Sequence, residues 1–467
     1  MFKSFLSVSV LFLSFIIMAT ALPAYAADNR DARLDAMEAQ MMDMMAEIKA
    51  LRAEREADKQ EQARLRQKIR ELESSTNEKL ATISPAAGEA LSPREDDVEI
   101  SMKSSAPKFK KGEFEWQPMG RIHLDAGIIQ DDAADHSNGA EFRRARLGMQ
   151  GKVSKDFGYK AEVDFANEGV NIKDMYLNYT GVDNTEFRVG HFKPGYTLED
   201  MTSSNDITFI ERASVVDSFG TSENIGAGVI THGNNHHLAV GVFNDDAGTQ
   251  SGDDEMWSVA GRLALAPVKE KGKVVHLGAS AAYREPDQAN DSFDLDATAE
   301  NRIQRMDSVS SVITNGESLT VAGVEAAAVL GAFSAQGEYL AAQVENRGGQ
   351  DPLYQGGYAQ IAYTLTGESR PYDMKKGAFK GIKPDQPLDP SKGQYGALEL
   401  AARLSHLDLN DNGLNGGEMT NATFGANWYL NDYVRLMANY IIVDTDDNAV
   451  TPDDDPHIML LRSQVKF

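Results

Sequence analysis

The sequence predicts an all-β transmembrane barrel of about 16 antiparallel strands, preceded by an N-terminal α-helical coiled coil. Three observations predict it. From Trp116 onward, segments of about ten residues alternate apolar and polar side chains to the last residue, as strands do when one face meets lipid and the other water. After residue 26 no run approaches the ~18 apolar residues that a spanning helix needs. Short and long connections separate the segments, the asymmetry of a barrel with tight turns at one end and long loops at the other.

The elements follow in chain order. Residues 1–26 read as an export signal peptide. Lys3 opens a basic segment, LSVSVLFLSFIIMATAL is the apolar run, and Ala24-Tyr25-Ala26 is a small-x-small cleavage site. The chain's formal charge is −25, and losing Lys3 with the signal leaves −26. That acidic balance argues against nucleic acid as a partner. The absence of cysteine removes thiol catalysis and Cys–zinc sites, and suits an exported protein without disulfides.

Residues 28–80 contain no Gly or Pro. Leu34, Met37, Met41, Met44, Ile48 and Leu51 keep a 3-4 spacing, and Leu65, Ile69 and Leu72 resume it. Such a seam needs a partner helix, so the segment reads as a periplasmic coiled coil. Arg55, Asp58 and Gln62 interrupt its core with polar side chains that weaken it and can fix register. Residues 81–113 form a linker rich in Pro, Ser and charge, without periodicity.

The barrel occupies 114–467. Its segments fall near 117–128, 142–153, 158–166, 172–181, 185–193, 223–231, 237–244, 256–266, 274–284, 319–330, 332–344, 354–367, 394–407, 418–430, 433–444 and 457–467. In one of them Tyr159, Ala161, Val163 and Phe165 share a face, and Lys160, Glu162 and Asp164 share the other. A soluble sandwich would need apolar inward faces and polar outward ones; here the apolar faces are small or aromatic and the opposite faces heavily charged. Trp428, Tyr429, Tyr433 and Tyr440 sit where a bilayer interface places aromatics. The connections 245–255, 285–318, 367–393 and 444–456 are expected as external loops. The closing strand HIMLLRSQVKF ends on Phe467, which resembles the assembly signal of bacterial outer-membrane barrels.

Four stretches in order, EFRRARLGMQGKVSKDFGYKAEVDFA, VGHFKPGYTLEDMTSSNDITFIER, LTGESRPYDMKKGAFKGIKP and NWYLNDYVRLMANYIIVD, resemble the phosphate-selective porin O and P family. The resemblance implies a sixteen-stranded barrel in the bacterial outer membrane, assembled as a homotrimer in lipid. It also implies passive diffusion of small anionic or polar solutes. No enzyme activity, cofactor or metal is expected. The family's constriction arginines fall on Arg143 and Arg144, and a third on Arg212, near the end of an inward-folded loop running from about Gly195 to Phe219. Arg146 and Lys173 join them as anion-binding candidates, with Asp200 and Glu211 in the constriction loop. Asp200 stands where the family keeps a lysine, and Lys173 where it keeps an acid. An aspartate beside the path is expected to repel phosphate, as the acidic run Asp453-Asp454-Asp455 is at the mouth.

The chemistry is direct. A guanidinium stays charged and matches oxyanion geometry with a planar fork of donors, and rings of Arg or Lys line anion pores. Strand alternation points Arg144 and Arg146 into the lumen with Gln150 and Lys152, and Ala145, Leu147, Met149 and Val153 to lipid. Arg143 has lipid-face parity, so it reaches the lumen only near the strand's end. A different reading makes the protein an envelope tether whose coil contacts peptidoglycan; about fifty helical residues span roughly 75 Å. Asp408–Gly413 resembles the start of a calcium loop but lacks the glutamate at position twelve and reads as a polar loop. His236 and His237 face opposite ways on a strand, so with His232 they make no ready metal site.

Overall fold

The computed structural model describes residues 98–467, apart from 103–105, 131–132, 134, 167–168, 245–255, 287–290, 304–306, 447 and 453. Of the expected coil only Arg64, Gln67 and Lys68 are described, and they are helical. The expected signal peptide and the rest of the coil lie outside the described residues.

Sixteen strands form the wall: β1 (Phe114–Gln130), β2 (Gly139–Lys152), β3 (Phe157–Asp164), β4 (Asn171–Val182), β5 (Thr185–Phe192), β6 (Asn224–His232), β7 (His236–Phe243), β8 (Trp257–Glu270), β9 (Lys273–Glu285), β10 (Gly316–Leu330), β11 (Phe333–Asn346), β12 (Leu353–Thr364), β13 (Ala397–Asp411), β14 (Leu414–Tyr429), β15 (Val434–Thr445) and β16 (His457–Lys466). Each carries one of the segments read from the sequence. Neighbours are antiparallel throughout, and β16 returns to β1 from His457↔Gln130 to Lys466↔Arg121. That closure leaves no open edge, which a strand facing hydrocarbon cannot have. Alternation holds on β16, where Met459, Leu461 and Val465 are exposed while Ile458, Leu460, Arg462 and Gln464 are buried. A hairpin of Glu99–Ser101 and Lys108–Lys111 adds to the start of β1, pairing Phe109 with Trp116. It lies inside the stretch read as linker, because strands of three and four residues are too short to show a period.

Tight turns at 153–156, 183–184, 233–235, 271–272, 331–332 and 430–433 collect at one end. Three of them turn on positive φ, at Asn184 (55°), Gly272 (71°) and Gly331 (59°). The long connection 365–396 joins β12 to β13 and therefore belongs to this same, periplasmic end, not to the external loops expected for it. Length misled the expectation; the order of strands decides the side. Conversely, Asn412-Gly413 joins β13 to β14 at the loop end as a two-residue turn with both φ positive (52° and 82°). This hairpin accounts for the calcium-like motif.

Among the described residues, three segments fold into the barrel. Segment 193–223 carries α1 (Leu198–Met201) and α2 (Ser214–Phe219). Segment 286–315 carries a hairpin of Phe293–Ala297 and Val309–Ile313. Segment 365–396 enters from the turn end. Their apolar side chains form the core inside the lumen: Val215, Phe219, Leu295 and Ile313 cluster with Tyr354, Leu407 and Ile441 of the wall. Ala378 and Phe379 cluster with Leu198, Val274 and Val329. The inner faces of β8–β16 are thereby largely covered, and most of the partly exposed inward charges lie on β2–β5.

Candidate pore lining and constriction

Two β-bulges shape the uncovered arc. Between β1 and β2, His123 pairs with Arg144 and Leu124 with Phe142, so Arg143 has no partner. Between β3 and β4, Ala161 pairs with Met175 and Val163 with Ile172, so Lys173 and Asp174 both oppose Glu162. An extra residue lets two consecutive side chains share one face. Phe142 and Leu147, like Ile172 and Met175, stay exposed to the lipid side. Arg143 with Arg144, and Lys173 with Asp174, turn inward. The parity expected for Arg143 fails for this reason: the strand breaks its alternation there instead of ending.

Both arginines meet segment 193–223 at Glu211. Arg143 donates from Nε and Nη2 to its two carboxylate oxygens at 3.0 and 3.1 Å, and Arg144 Nη1 lies 3.5 Å away. Arg462 of β16 donates to Glu211 Oε1 at 2.6 Å and to both oxygens of Asp125 at 2.6 Å. Burial alone would raise the Glu211 carboxyl, but Arg143, Arg144 and Arg462 overcome it and hold the group well below the usual carboxylate range. Three guanidiniums thus face two carboxylates, and one positive charge remains in excess. Arg144 is nearly buried, whereas 21% of the Arg143 side chain is exposed.

Arg146 donates to Asp164 at 2.8 Å and Glu162 at 3.3 Å. Glu162 also takes Arg121 at 3.2 Å and Lys160 at 3.4 Å. Lys173 donates to Glu223 at 3.3 Å. Arg212 does not join Arg143: its Nε and Nη2 donate to the carbonyls of Glu199, Asp200 and Thr202 at 3.1, 3.3 and 3.1 Å, clasping α1. Asp200 is buried and accepts from Lys193 at 2.6 Å, with Arg212 Nε 3.5 Å from the same oxygen. Its charge is met by two cations, so the repulsion expected of a bare aspartate is reduced.

The anchors of segment 193–223 escaped sequence reasoning. Arg403 of β13 pairs with Glu199 at 3.2 Å and with Glu300 of segment 286–315, and donates to the Glu211 carbonyl at 3.1 Å. Arg435 caps the carbonyls of Ile207 and Thr208 at 2.8 and 2.9 Å. Glu338 of β11 accepts the backbone N–H groups of Leu198 and Glu199, each at 2.7 Å. Arg262 of β8 binds Glu325 and the Gly377 carbonyl of segment 365–396, both at 2.7 Å. The one signal was a lone charge at inward parity among small residues, as in GRLALA and AARLS. His236 and His237 do face opposite ways, one exposed and one buried.

The turn end of the arc opens into a cleft of about 260 Å³ lined by Lys108, Glu115, Gln150, Lys152, Lys160 and Glu186 among others. With charged side chains lining an enclosed wall and apolar ones outside it, the arrangement suits passage of hydrated solutes.

Comparison with known proteins agrees. Porin O of Pseudomonas aeruginosa is 30% identical over 406 residues, covering 76% of this chain and 89% of its own. An uncharacterized protein of Caulobacter vibrioides is 30% identical over 382 residues, 78% and 75% of the two chains. Among solved structures, an anion-selective porin from Comamonas acidovorans superposes with a TM-score of 0.51 at 11% identity, covering 76% of this chain and 100% of that one. The trimer form of OmpT from Vibrio cholerae superposes at 0.50 and 10% identity, covering 75% and 99%. At these identities the two structures show the shared barrel. The protein is a channel of the bacterial outer membrane and not an enzyme. The model of the phosphate-selective porins O and P matches residues 117–467, and the chain belongs to that family.

Proposed function

We propose that this porin passes small solutes passively with a bias towards anions, and that Arg143 and Arg144 provide the anion contact of its constriction. The carrying observation is the bulge at Arg143, which turns two consecutive guanidiniums into the lumen, where with Arg462 they face Glu211 and Asp125 and leave one positive charge in excess. Arg143, the exposed member, meets the solute; Arg144 and Arg462 hold Glu211, and Arg146 and Lys173 extend the basic lining along the arc. Arg212 serves this path by clasping the loop. Anion pores need such a sparse set, because binding must be weak enough for release. The family's description and the anion selectivity in the name of the Comamonas porin support the same bias.

The trimer form of the Vibrio relative supports a homotrimer here. The export signal and the periplasmic coil belong to the proposal on residue pattern alone. Planar-bilayer reversal potentials in a KCl gradient test the central claim. One charge about 5 Å from the ion in a water-like dielectric contributes about 0.8 kcal/mol, roughly fourfold in favour of an anion and fourfold against a cation, so up to about sixteenfold in their permeability ratio. Arg143→Gln is expected to lower the chloride-over-potassium ratio by up to about that factor. A cation-selective wild type, or an unchanged ratio in the variant, would reject the anion bias.

A further inference from the structure

Lys193 leaves the wall one residue after β5, and Pro194 keeps it extended as the chain enters the lumen. Its ammonium donates to Asp200 Oδ1 at 2.6 Å, and 24% of its side chain is exposed. Asp200 is placed differently. Its side chain is 6% exposed, and its buried Oδ2 has no hydrogen-bond partner. The carboxylate is therefore turned from water, and its charge reaches the lumen through the cation it holds. Lysine offers three donors and spends one on Asp200, which leaves two for a solute. Arg212, beside the same oxygen, has Nε and Nη2 engaged on backbone carbonyls.

A second acid registers the same ammonium. Glu223, just before β6, is held at about 2: burial raises it, and Lys193, then Lys173 and Arg146, lower it more. Three cations therefore act on one ionised carboxylate: Lys173 in direct contact, Lys193, and Arg146, which is itself paired with Asp164 and Glu162. Asp200 is buried beside them as a separate counter-charge.

We infer that Lys193 is a specificity-determining cation of this pore, contacting a small oxyanion, and that Asp200 sets its strength as a buried counter-ion without facing the solute. The inference rests on the anion-biased reading above and adds a residue beyond the Arg143/Arg144 pair. A carboxylate that repels solute directly acts whether or not Lys193 is present. One that masks Lys193 acts only through it, and a double-mutant cycle separates the two.

The test compares wild type, Lys193→Gln, Asp200→Asn and the double variant as full-length channels in planar bilayers. Reversal potential in a KCl gradient and inhibition of chloride current by inorganic phosphate are read together. Lys193→Gln is expected to lower the chloride-over-potassium ratio about two- to fourfold and to weaken phosphate inhibition similarly. Asp200→Asn is expected to raise both, with less than half of that gain surviving in the double variant. Lys193→Arg should retain selectivity. The chain has no cysteine, so Lys193→Cys can be modified on the assembled channel: a reagent adding an aminoethyl group should restore selectivity, and a neutral one of similar size should not. Unchanged ratios in Lys193→Gln, or an equal Asp200→Asn gain in both backgrounds, overturn the inference. A cation-selective wild type instead strikes the underlying reading, since the cycle reports the Lys193–Asp200 coupling whatever the sign of the bias.

Discussion

The wall covered by loops and the uncovered arc use the same side chains for different ends. On the covered wall, Arg262, Arg403 and Arg462 have fully buried side chains, each bound to a carboxylate and to the backbone of an inward segment. On the arc, Arg143 and Lys173 keep 21% and 25% exposure and stand beside water. Burial makes the difference. A buried guanidinium cannot be left unpaired, so it becomes a strut fixing where a loop lies. A half-exposed one is screened and adds little to stability, and its field remains available to a passing ion. Covered charges shape the pore, and exposed charges select within it.

The largest effect should come from a strut. Arg403→Ala leaves Glu199 and Glu300 buried without their cation, and breaking such a pair typically costs about 3–5 kcal/mol. The same change removes a guanidinium stacked 4.4 Å from the Phe209 ring. The expected outcome is a lower unfolding midpoint in heat-modified gel mobility and a noisy, enlarged single-channel conductance as segments 193–223 and 286–315 loosen. A quiet channel of unchanged size would show that these segments are held by apolar packing instead.

Glu338→Gln should follow. Its carboxyl group accepts from two backbone N–H groups of α1 and from the Tyr358 hydroxyl, each at 2.7 Å. An amide turns an NH₂ group towards one of those donors, and leaving a buried donor without its acceptor costs about 1–3 kcal/mol. Conductance should rise less than in Arg403→Ala, because Arg403, Arg435 and Arg462 still hold the loop. Arg143→Gln comes next, with selectivity moving while stability does not. Its effect should fade with salt, since the Debye length drops from about 10 Å at 0.1 M to about 3 Å at 1 M. The strut variants should keep their defects at both concentrations.

Much of the wall was legible because lipid on one side and water on the other enforce a period of two, and closure requires each strand to repeat it. The same rule gave the inward direction of Arg144 and Arg146. It failed at Arg143 and Lys173, where a bulge adds one residue and resets the parity; nothing local in EFRRARL or NIKDMYL marks the extra residue. It also could not place segment 365–396, whose side follows from counting strands and not from its composition. The struts were hidden for a different reason. Arg403 finds Glu199 across 204 positions and Glu338 finds Leu198 across 140, pairings made only after the loops fold inward.

The smallest expected effect lies at the loop end, where acids crowd in the hairpin of segment 286–315. Asp296, in the hairpin of segment 286–315, is raised to about 6 by burial and then by Asp307, Asp294 and Asp217, with Arg302 opposing. In the unfolded chain an aspartate titrates near 3.9. The native state therefore binds more protons between about pH 4 and 6, and stability falls as pH rises through that window. The destabilisation is absent below about pH 4 and fully present above about pH 6. Segment 286–315 should accordingly be cut more slowly by an added protease at pH 5 than at pH 7, after correction for the protease's own pH profile. Asp296→Asn should slow cutting at pH 7 and flatten most of the difference; Asp307, also raised by burial, leaves a residue of it. An equally steep pH dependence in the variant would show that other acids, and not Asp296, carry the linkage, and the crowding of acids in this hairpin would then have no part in its stability.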